Sequence, residues 1–238
     1  MAHDIDALPK GAGAWGQAVT AVVMIAVLAG GLWAYGEVVS QSAGSKPYTP
    51  SCEDDGKPGA TPPEPGKASR QLTGQRLCEA LFRPDLAALL GTPGEAPSSV
   101  TGSDGSRRFG SDEEVATPSA EVEFPTYTVT LTASYDGLPT ADTAEYLRGA
   151  QEQKILGRPA VVYSDRTISI SFRLDGSDAR SGPGVPARTL MVAQDARDSG
   201  GSYDVTLWRT DGATPDDATL RRVAEKVLPA LPGWQTAR

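Results

Sequence analysis

Asparagine is absent from the 238 residues, histidine occurs once, at His3, and cysteine twice, at Cys52 and Cys78. Each shortage excludes something. With the one imidazole three residues from the start, the chain beyond residue 70 cannot build a Ser-His-Asp triad, a Cys-His dyad, a His-ligated zinc or copper site, or a His acid-base catalyst. Two thiols cannot supply a four-thiolate metal cluster. Neither a Ser-x-x-Lys nucleophile motif nor a G-x-S-x-G elbow occurs. The missing Asn goes with six Lys against sixteen Arg and abundant Ala, Gly, Pro and Val, a pattern of avoided AT-rich codons that points to a GC-rich bacterial genome. Turns that need positive φ must therefore use Asp or Gly.

Positive charge is also scarce. Lys plus Arg number 22 against 30 Asp plus Glu, a net charge of -8 and a pI near 4.7. An acidic chain gains nothing from counterion release on a phosphate backbone, so no nucleic-acid partner is expected. Gly and Pro together make up 45 of the residues, about a fifth, which calls for loops, turns or a linker. The length suits one modest domain with appendages.

What the N-terminus does have is an uncharged run of 26 residues, Gly11 to Gly36. As a helix it would reach about 39 Å, more than the ~30 Å hydrocarbon core of a bilayer. Trp15 lies near one end of the run and Trp33 and Tyr35 near the other, where amphipathic rings favour the two interfaces. The run is read as a single transmembrane helix, residues 11–39. A buried core helix would need a larger protein around it. A cleaved signal peptide is the competing reading, followed by small residues such as Ser40, Ser42 and Ala43; its apolar region should be only about 7 to 15 residues long. A lipoprotein anchor fits less well, because Cys52 follows Thr49-Pro50-Ser51, far from the apolar run. Lys10 and Lys46 nearly balance across the span, so charge alone does not orient it. Cysteine usage does: both thiols follow the run, and one even pair in an exported region reads as a disulfide, Cys52 to Cys78, against the alternative of two free thiols. Residues 1–10 are then a short cytoplasmic tail and the remainder is extracytoplasmic, on the cell membrane.

Residues 40–70 hold six Pro and four Gly with almost no bulky apolar side chain, and cannot bury enough surface to offset their ordering entropy. They form a Pro/Gly-rich linker. Residues 71–238, with net charge -6, look globular. Leu77, Leu81 and Phe82 share a helical face, Pro84 restarts a second short helix, and Gly91 ends it. Residues 92–120 read mostly as loop, with a short strand near Arg107 to Phe109. Thr126 to Tyr135 alternates strictly, with Tyr127, Val129, Leu131, Ala133 and Tyr135 on the buried face. Residues 141–151 read as a helix with Asp142 and Glu145 as a cap pair and Tyr146, Leu147 and Ala150 inward. Two strands, 160–163 and 167–174, are expected as a hairpin about Ser164-Asp165-Arg166, with Ile168, Ile170, Phe172 and Leu174 on one face. Strands at 187–194 and 203–209 follow. Last comes a helix opened by Thr214-Pro215-Asp216-Asp217, with the Thr214 hydroxyl as its cap and its stripe running through Leu220, Val223, Ala224, Val227, Leu228 and Leu231. The expected fold is α+β: an antiparallel sheet of about five strands with helices on one face, preceded by the transmembrane helix.

Few residues suggest chemistry. Gly11-Ala12-Gly13-Ala14-Trp15-Gly16 matches G-x-G-x-x-G, but no strand precedes it and no βαβ unit follows, so it is not a nucleotide site. Glu121 with Glu123 and Asp175 with Asp178 are the carboxylate pairs that could serve a glycosidase or hold calcium, though solvated acids explain both and neither has a ligand-loop spacing. No catalytic residue, cofactor or metal is assigned. Association is the other possibility. Ala26, Gly30 and Ala34 form a small-residue stripe along the span that would allow a weak dimer, although ordinary Ala and Gly content explains it as well. Trp208 and Trp234 are the candidate anchors for a partner.

The stretches LCEALFRPDLAALLG and RVAEKVLPALPGW, with GAGAWGQAV at the start of the span, resemble a group of actinobacterial single-pass membrane proteins built around a domain of unknown function. The likeness covers most of the chain; similar helix phrases occur in actinobacterial lipoproteins, from which this chain departs by lacking a lipobox. The resemblance implies an envelope location and carries over no catalytic residue. The expected function is a non-enzymatic binding or accessory module of the cell envelope, contacting an envelope protein or cell-wall ligand. A cell-wall hydrolase using a carboxylate pair, or a structural subunit of an envelope complex, is the alternative.

Overall fold

A computed structural model describes residues 50–52, 71–109, 113–147, 149–171 and 180–234. The expected tail, transmembrane segment and nearly all of the linker lie outside these residues. Among the described residues, no helix is long and apolar enough to cross a membrane. The expected layout of about five strands behind a transmembrane helix is corrected accordingly: the regular structure of the described residues is mostly antiparallel sheet, seven strands in one sheet and two in a separate ribbon, with few and short helices.

The strands are β1 (Ser99–Ser103), β2 (Ser106–Phe109), β3 (Glu113–Ala116), β4 (Ser119–Glu123), β5 (Tyr127–Ser134), β6 (Gln151–Ile155), β7 (Arg158–Ser171), β8 (Arg180–Ala193) and β9 (Ser202–Arg209). The sheet order is β1-β4-β5-β9-β8-β7-β6, and β2 pairs with β3. The helices are α1 (Gly74–Leu81), α2 (Leu86–Leu90), α3 (Thr140–Ala144) and α4 (Asp217–Val227), the last followed by a 3₁₀ turn at Leu228–Ala230.

One face of the sheet carries the main core. Val122, Val129, Leu131, Val205, Leu207 and Val192 are fully buried there beneath Leu77 and Leu81 of α1, Leu86 of α2, and Leu220, Val223 and Val227 of α4. These helices form where expected. Thr73 caps α1 through its hydroxyl, which accepts from the Arg76 amide at 3.3 Å, and Gly91 ends α2 at φ 84°. The apolar stripe of α4 is buried as its spacing requires, but its cap differs: the carboxylate of Asp216, not the Thr214 hydroxyl, accepts from the Thr219 amide at 2.7 Å. Cys52 and Cys78 are bridged, which fastens the start of the described chain to a fully buried position of α1. Closing a loop of 26 residues removes unfolded-state freedom equivalent to about 3 to 4 kcal/mol.

The other face is polar at its centre and covered in part. Val161, Met191 and Ala193 are buried outside the main core; α3, which packs on β6, β7 and β8, and the β2–β3 ribbon, which reaches β5, are the elements over this side.

Three expectations fail for local reasons. Residues 92–120 are mostly strand, not loop: β1 and β4 bury only Val100, Ala120 and Val122, because one side chain in two faces the polar layer. The helix expected over 141–151 stops at Ala144, Tyr146 is 85% exposed, and the residues from Gln151 join the sheet as β6. Its first amides are capped from a distant loop, Asp198 accepting from Thr140 at 2.8 Å and Ala141 at 3.0 Å, so Asp142 and Glu145 are not the caps. The hairpin about Ser164-Asp165-Arg166 does not exist; β7 runs straight through these residues, paired with β8 at Ala187, Arg188 and Pro186. The real turn is Leu156-Gly157, both at positive φ (51° and 80°), the conformation of a two-residue hairpin loop whose twist suits the flanking strands.

Candidate functional site

The stripe Ala26, Gly30 and Ala34, and the pair Asp175 and Asp178, lie outside the described residues. The other sequence-derived candidates fall in separate places. Trp208 sits mid-sheet on the polar face between its register partners Thr128 and Ala187, both buried, and is itself half-buried. Trp234 packs against the core at the opposite face. The Arg158 guanidinium lies 3.4 Å from its ring centroid and the Tyr203 ring 5.9 Å away. Arg158 in turn donates to the Gln194 carbonyl, and its burial lowers its pKa. Both indoles are thus partly covered within the fold. Glu121 and Glu123 are brought together: burial raises the Glu121 pKa first, and the charge and hydrogen bond of Glu123 raise it further. Carboxyls in hydrogen-bond contact are closer than the ~5 Å that a retaining glycosidase pair needs.

Elsewhere on the polar face, on β9, lies an acid that periodicity alone did not single out. Asp204 pairs in register with Thr132 and Met191, and accepts a hydrogen bond from the Ser202 hydroxyl at 2.8 Å. Burial pushes its pKa up to about 6, with Asp136 adding to the rise and the Ser202 bond and Arg107 of the ribbon opposing it. Tyr163, on the same face, is also raised by burial, with Arg107 again opposing. Thr189 and Thr206 share a hydroxyl–hydroxyl contact at 2.9 Å beside them. A buried acid titrating near neutrality is a common feature of functional sites and of structural networks alike. Among the described residues no group of His, Cys, Asp or Glu could hold a metal ion.

Among the described residues, two of the four exposed large hydrophobic side chains, Ile168 and Ile170, share an arm. β7 and β8 each run 14 residues, yet β6 covers β7 only over Arg158 to Val162 and β9 covers β8 only over Ala187 to Ala193. Beyond those points the two strands project from the sheet as a ribbon whose outer edges pair with no other described strand. A bulge marks its base: register passes from Arg166↔Pro186 to Ile168↔Pro183, one extra residue on β8. Gly184 makes room for this, since a Cβ there would lie 2.2 Å from the Thr167 hydroxyl oxygen, which itself accepts from the Val185 amide at 3.0 Å. Past the bulge Ile168 is 77% exposed and Ile170 59% exposed. They continue the stripe of Ala160 and Val162, which are buried in the core, out to where no helix covers it. A groove along the ribbon is lined by Asp165, Arg166, Ile168 and Pro183 among others.

The arm was readable. Ala160, Val162, Ile168, Ile170, Phe172 and Leu174 all fall on even positions, the parity of a single strand, and Ser164-Asp165-Arg166 offers no Gly for a tight turn. No curated protein and no solved structure matches the chain. A family model does match, over residues 9–150: DUF6215, a family of unknown function.

Proposed function

Because the chain belongs to this family of unknown function, we propose from its own residues that it is a non-catalytic binding or accessory module of the cell envelope, held at the membrane by its uncharged N-terminal run. The β7–β8 arm carries this reading. An isoleucine pair kept in solvent on a projecting ribbon costs solubility and adds nothing to the core, so its use lies in contact with something else. The Cys52–Cys78 bridge supports an oxidising compartment, and the 26-residue uncharged run supports attachment to the bilayer. The partner is an envelope protein or wall component rather than nucleic acid, in keeping with the net charge of -8.

Location is tested on the full chain carrying one added cysteine at the exposed Ser181. In intact cells a membrane-impermeant maleimide should label it, and fractionation should leave the chain in membranes until detergent is added. An unlabelled thiol, or intact chain in the soluble fraction, would refute the assignment.

A further inference from the structure

The two edges of the arm are not alike. On β8 the free stretch contains Gly182, Pro183, Gly184 and Pro186, residues that lack an amide hydrogen or weaken a strand and so discourage further pairing. On β7 the free stretch Tyr163–Ser171 has neither Pro nor Gly, and past Asp165 and Arg166 its last five residues read Thr-Ile-Ser-Ile-Ser, without charge. Such an edge is a template for another strand.

We infer that the β7 edge of the arm pairs antiparallel with the same edge of a second copy of this chain, joining two arms into one four-stranded sheet. The inference deepens the reading of the arm as the contact element and rests on it.

The segment is complementary to itself. With a two-fold axis at Ser169, Ile168 of each copy stands opposite Ile170 of the other and Thr167 opposite Ser171. All four isoleucines then adjoin on one face, and the Thr167 and Ser169 side chains lie on the other. A two-fold contact requires this property, one patch fitting its own copy. Residues 71–238 carry a net charge of -6, so two copies repel, but the uncharged stretch lies on a projection that keeps the acidic bodies apart. The span of five residues is about 17 Å of strand. That suits a weak contact strengthened when both chains are confined to one surface.

The test uses the full chain in membranes. Both native cysteines are bridged and no free thiol remains among the described residues, so an introduced cysteine is the reactive one. Directly opposed residues of antiparallel strands have Cα atoms about 4.5 to 5.5 Å apart, within disulfide reach. Ser169→Cys should therefore cross-link under copper–phenanthroline and double the mass from 24.8 kDa. Ser181→Cys is equally exposed but would face its copy across three strand spacings, about 14 Å, and should yield at most a tenth as much dimer. The register is tested by charge. In the Ser169→Cys background, Ile168→Lys with Ile170→Lys should cut the yield at least tenfold, whereas Ile168→Lys with Ile170→Glu should restore it, opposite charges now facing each other. All these positions are exposed, so the fold is spared. Equal dimer from both cysteines, or no effect of the paired lysines, would overturn the inference. A 169 adduct to a different protein would also overturn it, while leaving the arm as a contact element. No adduct at all would overturn it and leave the membrane assignment to its own labelling test.

Discussion

Replacing Asp204 by Asn should change how stability depends on pH, by an amount the structure sets. The folded carboxyl titrates at about 6, against about 3.9 for an unfolded Asp. The folded pKa is raised, so the folded state holds this proton more tightly than the unfolded one. Stability from the group is complete below about pH 4 and is lost as pH climbs through 6. A gap of two pKa units corresponds to roughly 3 kcal/mol; the residue keeps some solvent-accessible surface, which screens the carboxylate, so about 2 kcal/mol is the expected effect. Relative to the native chain, Asp204→Asn should gain about 2 kcal/mol between pH 4 and pH 8, or roughly 4 to 8 °C in melting temperature. The amide oxygen can still accept from Ser202, and any fixed cost of placing the amide nitrogen cancels in the difference between the two pH values. Urea midpoints of both full-length proteins, with nonionic detergent present throughout, measure it. A difference that stays flat within about 0.5 kcal/mol from pH 4 to 8 would show that Asp204 is solvated and that the polar layer is open.

Two further outcomes follow from covalent and backbone features. Cys52→Ala should lower the urea-derived stability by about 3 kcal/mol, and reductant should then have no further effect on the variant while still destabilising the native chain. Gly184→Val should collide with Thr167 at the arm's base; amide hydrogen exchange should accelerate across 164–171 and 180–186 with the urea midpoint nearly unchanged, because those residues lie outside the core. A global loss of stability instead would mean that the arm is part of the cooperative fold.

Helical segments were legible because their burial is one-sided and periodic: Leu77, Leu81, Leu220, Val223 and Val227 all fall where spacing puts them. The strands at β1 and β4 were not, since short stretches such as Ser99–Ser103 bury a single valine and carry Ser, Thr, Gly or Glu elsewhere. Tertiary demand hid them. The misjudged helix at 141–151 shows the converse, a good local pattern overruled when Gln151–Ile155 found β7 as a partner. Asp198, which caps α3 across 58 residues, and Arg158, which stacks on Trp234 across the fold, leave no trace in any window. The acid pair Glu121 and Glu123 could be named from alternation; the burial of Asp204 could not, because it involves a ribbon of which only the strand near Arg107 to Phe109 was expected.

The bond between Cys52 and Cys78 also sets a path for mechanical load. Any pull on the chain ahead of residue 52 enters the domain sideways, through a side chain of α1 in the middle of the core, and bypasses the backbone between the two cysteines. Tension therefore cannot peel the domain from its first helix, and must either break a covalent link or dislodge the whole core at once.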